Sequence, residues 1–165
     1  MFIQGLKPVI DQHSHVLILG SMPSEESLRK QEYYANPRNQ FWRILGTLFS
    51  SELLTNTAYA QKLEFILHYK FALWDVIATC EREGSLDSHI KSPQPNPFAE
   101  LLAQYPEIRY VAFNGKKAFE VFNRQVGFEL KEGLVYQTLP STSPANTVSW
   151  ERKLNEWQLL RTWIR

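Results

Sequence analysis

The chain has 165 residues, of which 44% are hydrophobic and 21% are charged, a balance typical of a compact globular protein rather than of a fibrous or disordered one. Its single cysteine, Cys80, excludes an internal disulfide and cannot supply the several thiolates that an iron–sulfur cluster or a structural zinc site requires. The formal net charge of +1 argues against a protein that coats nucleic acid, because such domains are usually strongly basic.

No segment of the sequence is typical of a targeting signal or a membrane span. Residues 1–8 lack a basic start followed by a long apolar run. Later stretches do not approach the roughly 18 consecutive apolar residues of a transmembrane helix. We therefore expect a soluble, cytoplasmic protein.

In the first half of the chain, hydrophobic patterning predicts two strands and two helices. The first strand, 16–19, is a short apolar run ended by Gly20-Ser21. A helix over 41–48 follows, with Asn39 as its expected N-cap, and a second helix runs from about 57 to 69. The second strand, 71–76, carries Asp75 near its end.

The second half repeats this alternation. The polar segment from Gly84 to Pro97 is expected to be a surface loop, and Asn96-Pro97 is expected to start a helix as cap and first residue. A strand over 109–113 precedes a helix over 116–123. A fourth strand, 134–138, leads into a Ser-rich loop, and a single apolar stripe predicts one helix from 150 to 164.

This alternation predicts an α/β fold: a three-layer α/β/α sandwich with a central, mainly parallel four-stranded sheet, formed by residues 1–165 as a single domain. In such sheets ligands bind outside the carboxyl ends of the strands. Those ends carry Gly20-Ser21-Met22-Pro23, Asp75, Asn114-Gly115 and the loop that begins at Pro140. We therefore expect four loops to converge on one crevice.

Three motifs follow one another in the chain at strand ends or before a helix. They are Leu19-Gly20-Ser21-Met22-Pro23-Ser24, Tyr33-Tyr34-Ala35-Asn36-Pro37-Arg38-Asn39-Gln40-Phe41-Trp42 and Leu139-Pro140-Ser141-Thr142-Ser143-Pro144. Together they resemble the uracil-DNA-glycosylase superfamily. The full pattern is most similar to the deoxyinosine (hypoxanthine) DNA glycosylase branch, which is related to the mismatch-specific uracil and thymine glycosylases.

The resemblance implies a monofunctional DNA glycosylase that hydrolyses the N-glycosidic bond of a flipped deaminated base and leaves an abasic site. Hypoxanthine is the expected base, and DNA containing it the expected partner of a monomer that needs no cofactor. In a bacterium the enzyme would be associated with the nucleoid. Two alternatives stay open: a mismatch-type uracil or xanthine DNA glycosylase, and a module that binds damaged DNA without cutting it.

Two of the motifs are expected to hold the base. The resemblance places Tyr34 where an aromatic ring stacks on the extruded base, an interaction worth about 1–3 kcal/mol. Backbone N–H groups in the turn from Gly20 to Ser24, which also contains Ser21, Met22 and Pro23, are candidates to stabilise negative charge on the leaving base. Each feature also has a purely structural interpretation, as loop packing for Tyr34 and as a tight turn for Gly20-Ser21.

A water molecule must also reach the sugar carbon. Many relatives position it with Asp or Asn immediately before the proline of the first motif, where this chain has Met22. A thioether is only a weak hydrogen-bond acceptor. The resemblance to the hypoxanthine branch therefore implies that Asn39 is the catalytic residue, and its expected cap role does not exclude this.

The remaining site residues are expected to contact the base or DNA. Asn114 ends the third strand and is a candidate base contact. The third motif resembles the loop that enters the minor groove, so DNA contacts are expected from Ser141, Thr142, Ser143, Pro144 and Ala145, with Pro144 or Ala145 as the apolar wedge. Ordinary turn chemistry explains the same Ser-rich loop equally well. Lys116 is a candidate phosphate contact at a helix start.

Other patterns carry little weight. His13 and His15 could share one strand face, but no third metal ligand accompanies them, so no metal site is predicted. Asp87, in Gly84-Ser85-Leu86-Asp87, is interpreted as a turn residue rather than a DNA contact.

Overall fold

The larger of the two sheets is the predicted parallel sheet. The structure, a computed structural model, describes residues 2–50 and 57–165. Four parallel strands follow one another across this sheet in the order β3-β2-β6-β7. Their bounds are Val16–Gly20 (β2), Phe71–Asp75 (β3), Tyr110–Asn114 (β6) and Val135–Leu139 (β7). Each lies within one residue of its prediction, so the central sheet is confirmed.

Helices cover both faces of this sheet, as the sandwich prediction requires. One face is covered by α2 (Phe41–Leu48), α3 (Tyr59–His68), α6 (Trp150–Trp157) and α7 (Leu159–Trp163), and the other by α4 (Phe98–Gln104) and α5 (Lys116–Gln125). A short α1 (Glu25–Lys30) follows β2. Because side chains alternate along a strand, Ile18 packs into one core cluster and Leu19 into the other.

The sequence does not predict the second sheet. Strands β1 (Phe2–Gln4), β4 (Ile77–Glu81) and β5 (Lys91–Pro95) form an antiparallel sheet in the order β1-β4-β5. The expectation of a loop from Gly84 to Pro97 is therefore wrong over β5, and Asp87–His89 form a short 3₁₀ helix. The sequence of β5 does not have the pattern of a strand. An edge strand needs no apolar alternation, and it tolerates the prolines at the third and fifth positions of β5.

Two predicted helix caps are placed differently in the structure. Helix α4 begins at Phe98, and the Asn96 side chain, instead of capping it, donates from Nδ2 to the backbone carbonyl of Asp75 at 2.7 Å. Helix α2 begins at Phe41, so its N-cap residue is Gln40 rather than Asn39. The Asn39 carboxamide still accepts a hydrogen bond from the backbone N–H of Phe41 at 2.9 Å, and so satisfies one free donor of the first turn.

The predicted C-terminal helix is divided in two at Gln158, which separates α6 from α7. Gln158 itself keeps right-handed helical angles, so the apolar stripe continues across the break. At its centre lies Trp157, fully buried, with its ring edge-on to Phe41 at 6.0 Å between centroids. The Trp157 indole N–H donates to the carbonyl of Pro140 at 2.9 Å. Helix α6 thus holds the chain where it leaves β7.

Replacing Trp157 with Phe should lower the free energy of unfolding by about 2–3 kcal/mol, because the Pro140 carbonyl loses its buried donor and a small cavity forms. Denaturant unfolding followed by circular dichroism measures this. The matched control is Trp150→Phe, a half-buried ring stacked under Arg43, for which we expect less than about 1 kcal/mol. Equal losses in the two variants would contradict the importance of the indole hydrogen bond.

Candidate active site

An open cleft of about 540 Å³ lies where the parallel strands end. Its lining takes residues from the segments after β2 and β7, from the carboxyl-terminal residues of β3 and β6, from the loop between α1 and α2, and from residues 85–87. The four strand ends thus converge on one cleft, as the topology predicts.

Most of the predicted site residues line this cleft. They are Gly20, Ser21, Met22, Pro23, Tyr34, Asn39, Asn114, Ser141, Thr142, Ser143, Pro144 and Ala145. Lys116 does not belong to the lining and is the exposed first residue of α5. It follows Gly115, where a Cβ would lie 3.0 Å from Cβ of Ser141, so α5 starts close beside the loop after β7.

Tyr34 is held in an uncommon backbone conformation. Its φ of 56° lies in the left-handed region, which costs a non-glycine residue roughly 1–2 kcal/mol. The ring stacks on Phe41 with 4.0 Å between centroids. Within the described residues, the buried Tyr34 hydroxyl has no hydrogen-bond partner, and burial raises its pKa. Such strain persists only where the surrounding structure imposes it, which is typical of functional sites.

The turn after β2 presents backbone donors to the cleft. The carbonyls of Gly20 and Ser21 accept hydrogen bonds from the N–H groups of Val76 and Ile77, which fix the turn to the adjacent chain. By contrast, among residues 2–50 and 57–165 no backbone carbonyl accepts from the N–H groups of Ser21 and Met22. These two amides are therefore available to a ligand.

A buried arginine supports this turn from behind. Arg82 is 4% exposed and donates from Nη2 to the carbonyl of Pro23. Burial lowers the pKa of Arg82, while the acidic groups around it, Asp87, Glu25 and Asp75, oppose that change. Arg82 lies in the segment after β4, where no sequence motif singles it out.

Asn39 reaches the cleft from the start of α2. Its Oδ1 accepts from the Phe41 N–H, and its own backbone N–H donates to the carbonyl of Asn36 at 2.9 Å. A carboxamide oxygen has a second lone pair and its nitrogen carries two donors. The residue can therefore stabilise the helix start and hold a water molecule or a base edge at the same time.

The loop after β7 is wound by its own hydroxyl groups. Ser141 Oγ accepts from the Ser143 N–H, and Ser143 Oγ accepts from the Ala145 N–H, each at 3.2 Å. Pro144 and Ala145 are exposed at the tip. The loop therefore has the side-chain-to-backbone hydrogen bonds of ordinary turns and also lines the cleft.

Asn114 and Thr142 bind each other across the cleft floor. The Asn114 carboxamide accepts from the Thr142 N–H at 2.9 Å and donates to Thr142 Oγ1 at 3.0 Å. Thr142 is 1% exposed. Both residues therefore hold the loop against β6, and the side chain of Thr142 faces the protein rather than solvent.

Lys153 links α6 to the start of α2 and to the loop after β7. No sequence pattern singles this lysine out. It is buried on α6, and its Nζ donates to Oε1 of Gln40 at 2.8 Å and to the carbonyl of Asn146 at 3.0 Å. The Gln40 N–H in turn donates to the carbonyl of Thr142 at 3.0 Å. Burial lowers the pKa of the Lys153 ammonium group.

Two acidic residues, Asp75 and Asp87, also line the cleft. Asp75 is 4% exposed and lines the cleft at the end of β3. Burial, with the charge of Asp87 added, raises the pKa of Asp75 to about 7, and Arg82 opposes this shift. Asp87 begins the 3₁₀ helix and also lines the cleft, where its Oδ1 accepts from the Ser21 hydroxyl at 2.6 Å. Asp87 therefore belongs both to a helical turn and to the lining of the cleft.

Within residues 2–50 and 57–165, no group of three or more His, Cys, Asp or Glu side chains is arranged to hold a metal ion. None of the helices in this part of the chain is both long and apolar enough to cross a membrane.

Three comparisons with known proteins agree with the geometry. Two proteins named hypoxanthine DNA glycosylase are similar to this chain. The one from Methanosarcina acetivorans is 41% identical over 96% of this chain and 97% of its own length, and the one from Methanosarcina barkeri is 39% identical over 93% and 94%. A solution NMR structure from Methanosarcina acetivorans, described as a candidate uracil DNA glycosylase, matches with a TM-score of 0.84 and 38% identity over the full length of both chains.

The family model described as the uracil DNA glycosylase superfamily matches residues 8–165. This match includes the turn after β2, the segment from Tyr33 to Trp42 and the loop after β7. The chain therefore belongs to the uracil DNA glycosylase superfamily.

Proposed function

We propose that the protein hydrolyses the N-glycosidic bond of deoxyinosine in DNA, releasing hypoxanthine and leaving an abasic site. The observation that carries this proposal is the single cleft in which Tyr34, Asn39 and the Gly20–Ser24 turn face the loop after β7. The names of the two relatives at about 40% identity support hypoxanthine as the base.

The cleft suits a base that has left the double helix. Extruding a nucleotide costs a few kcal/mol of stacking and pairing. Tyr34 is half-buried with one ring face against Phe41, so its other face can stack on the base. A stack of about 1–3 kcal/mol offsets much of the cost of extrusion.

The bond breaks as positive charge develops on the sugar and negative charge on the base. The backbone N–H groups of Ser21 and Met22, which no backbone carbonyl of the described residues accepts from, are the proposed hydrogen-bond donors that stabilise negative charge on the base. Because the buried Met22 side chain cannot orient water well, the Asn39 carboxamide is the residue that would position the attacking water at the sugar carbon.

Contacts to DNA come from the rim of the cleft. The exposed Pro144 and Ala145 are small enough to enter the space left by the extruded base. The hydroxyls of Ser141 and Ser143, with Lys116 beside them, are available to flanking phosphates. We infer that the protein acts on DNA as a monomer in the cytoplasm.

The direct test uses oligonucleotides that carry one hypoxanthine, uracil or xanthine, treated with the protein and then with alkali to break abasic sites. Strand breaks at hypoxanthine are the expected result. Breaks at uracil or xanthine alone would reassign the substrate. If the protein binds DNA but no substrate shows strand breaks, the protein is a module that binds damaged DNA and not an enzyme.

Asn39→Ala should reduce the single-turnover excision rate by about 100-fold or more, because the attacking water loses its positioning group. The variant also loses a helix-start hydrogen bond, so thermal unfolding must show that it is folded at the assay temperature. Asn123→Ala, an exposed position on α5, is the matched control and should cut at the wild-type rate. Equal rates for Asn39→Ala and wild type would disprove the catalytic role of Asn39.

Tyr34→Leu should raise the protein concentration needed for half-maximal single-turnover rate by about 5- to 100-fold, the loss expected from one base–aromatic stack. Tyr34→Phe keeps the ring in the same strained backbone position and should retain most of the affinity. The comparison is informative because both variants share the left-handed φ of residue 34. If Leu and Phe behave alike, the ring does not stack on the base.

A further inference from the structure

Asp75 carries a buried carboxyl group with one oxygen, Oδ2, that has no hydrogen-bond partner among the described residues. It pairs in register with Gly20 across the parallel strands β3 and β2. Its side chain is almost fully buried, and within the described residues its Oδ2 makes no hydrogen bond. None of the three salt bridges formed by this part of the chain includes it.

This carboxyl group lines the cleft near Tyr34, the residue proposed to stack on the base. A Cβ atom on Gly20 would lie 2.6 Å from Oδ1 of Asp75 and 3.4 Å from the hydroxyl oxygen of Tyr34. Both polar atoms therefore lie close to the α carbon of Gly20, where a side chain would crowd Oδ1 of Asp75. Among the described residues, the Tyr34 hydroxyl and Oδ2 of Asp75 have no hydrogen-bond partner.

The charges around Asp75 oppose each other. Arg82, after β4, lowers the pKa of Asp75, while Asp87, from the 3₁₀ helix, raises it. On the remaining side the hydroxyls of Tyr33 and Tyr34 are neutral, because burial and Asp75 itself raise their pKa values. Burial is the largest effect on Asp75 and brings its pKa to about 7.

A carboxyl group with this pKa is about half protonated at neutral pH and can donate a proton as well as accept one. General acids are most effective when their pKa is near the working pH. Ionisable groups with strongly shifted pKa values in a cleft are candidates for catalysis. The position of Asp75 beside the stacking tyrosine gives this property a specific use.

We propose that Asp75 is the general acid of the reaction and gives its proton to N7 of the departing hypoxanthine. This inference rests on the proposed function. N7 belongs to the same five-membered ring as N9, so a proton on N7 draws electrons out of the C1′–N9 bond.

The step balances as a hydrolysis. The C1′–N9 bond breaks and its electron pair goes to the base, which takes the proton from Asp75 and leaves neutral. Water held by Asn39 forms the new bond to C1′ and releases a proton to solvent. Asp75 then regains a proton from solvent and is ready for another turnover.

The test is the pH dependence of the single-turnover excision rate on hypoxanthine DNA. For the wild type, the rate should fall about tenfold per pH unit above the pKa of Asp75. Asp75→Asn should be slower by about 100-fold or more at pH 6, and its rate should not change with pH across this range. Asp87→Asn is the matched acid-to-amide control. It keeps an acceptor for Ser21 but removes a charge that raises the pKa of Asp75, so its decline should begin at lower pH.

A substrate analogue locates the proton. In 7-deaza-2′-deoxyinosine a carbon replaces N7, so the wild type should lose about as much rate on it as Asp75→Asn loses on hypoxanthine. Wild type and Asp75→Asn should then differ little on the analogue. A large further loss in Asp75→Asn on the analogue would overturn protonation at N7.

Melting temperatures show whether Asp75→Asn is folded under the assay conditions. The folded-state pKa of Asp75 is raised above its unfolded value, so its contribution to stability is present at acid pH and is lost as pH rises towards about 7. The amide variant does not ionise. Its melting temperature at pH 8 should therefore be no lower than that of the wild type.

The outcomes separate this inference from the proposed function. Wild type that cuts hypoxanthine, with Asp75→Asn cutting at the same rate and with the same pH decline, overturns the general acid and leaves the function standing. Wild type that cuts no base overturns both. If uracil or xanthine is the base released, the function as proposed fails and so does protonation at N7 of hypoxanthine.

Discussion

The cleft depends on how the loop after β7 is fixed to the rest of the protein. Asn114 and Thr142 exchange two hydrogen bonds between β6 and this loop. Trp157 holds the preceding carbonyl of Pro140, and Lys153 joins the end of the loop to Gln40 at the start of α2. Because the Asn114–Thr142 hydrogen bonds are buried and the other three are partly buried, the proposed DNA-binding loop and the segment that carries Asn39 are held at a fixed separation.

The same region keeps several polar groups in unfavourable surroundings. Oδ2 of Asp75 and the Tyr34 hydroxyl are buried without hydrogen-bond partners among the described residues, and Tyr34 has a strained backbone. Each of these features lowers stability, and the large apolar clusters on both faces of the sheet offset the cost. Unsatisfied groups that gather in one cleft are what a site needs if its ligand is to complete the hydrogen bonds.

Met22 differs from the polar residue that many relatives have at this position, so our proposal assigns the two catalytic tasks to residues on two other elements that line the cleft. An apolar side chain stands where a water-positioning residue is expected from the family resemblance, and it packs into the core beneath the turn. In our proposal Asn39, at the start of α2, positions water, and Asp75, at the end of β3, supplies the proton to the base. A purine leaving group has a basic ring nitrogen that can use such an acid.

The elements whose pattern is local could be predicted from the sequence alone. The apolar run before Gly20-Ser21 and those before Asp75 and Asn114 predicted buried parallel strands, because full burial on two faces requires such runs. The topology of an α/β sheet then predicted that the candidate site residues gather at one edge, and all of them except Lys116 line the cleft. Their roles in binding and catalysis stay predictions.

Features that depend on distant partners become visible only in the folded protein. Strand β5 has no apolar alternation and is identified by its pairing with β4. The lysine that joins α6 to Gln40 and Asn146 looks in sequence like any surface lysine of an amphipathic helix. The raised pKa of Asp75 comes from its burial in the folded chain, with the charge of Asp87 added. Local sequence reports which face of an element is apolar, but the environment of a side chain is set by residues far away in the chain.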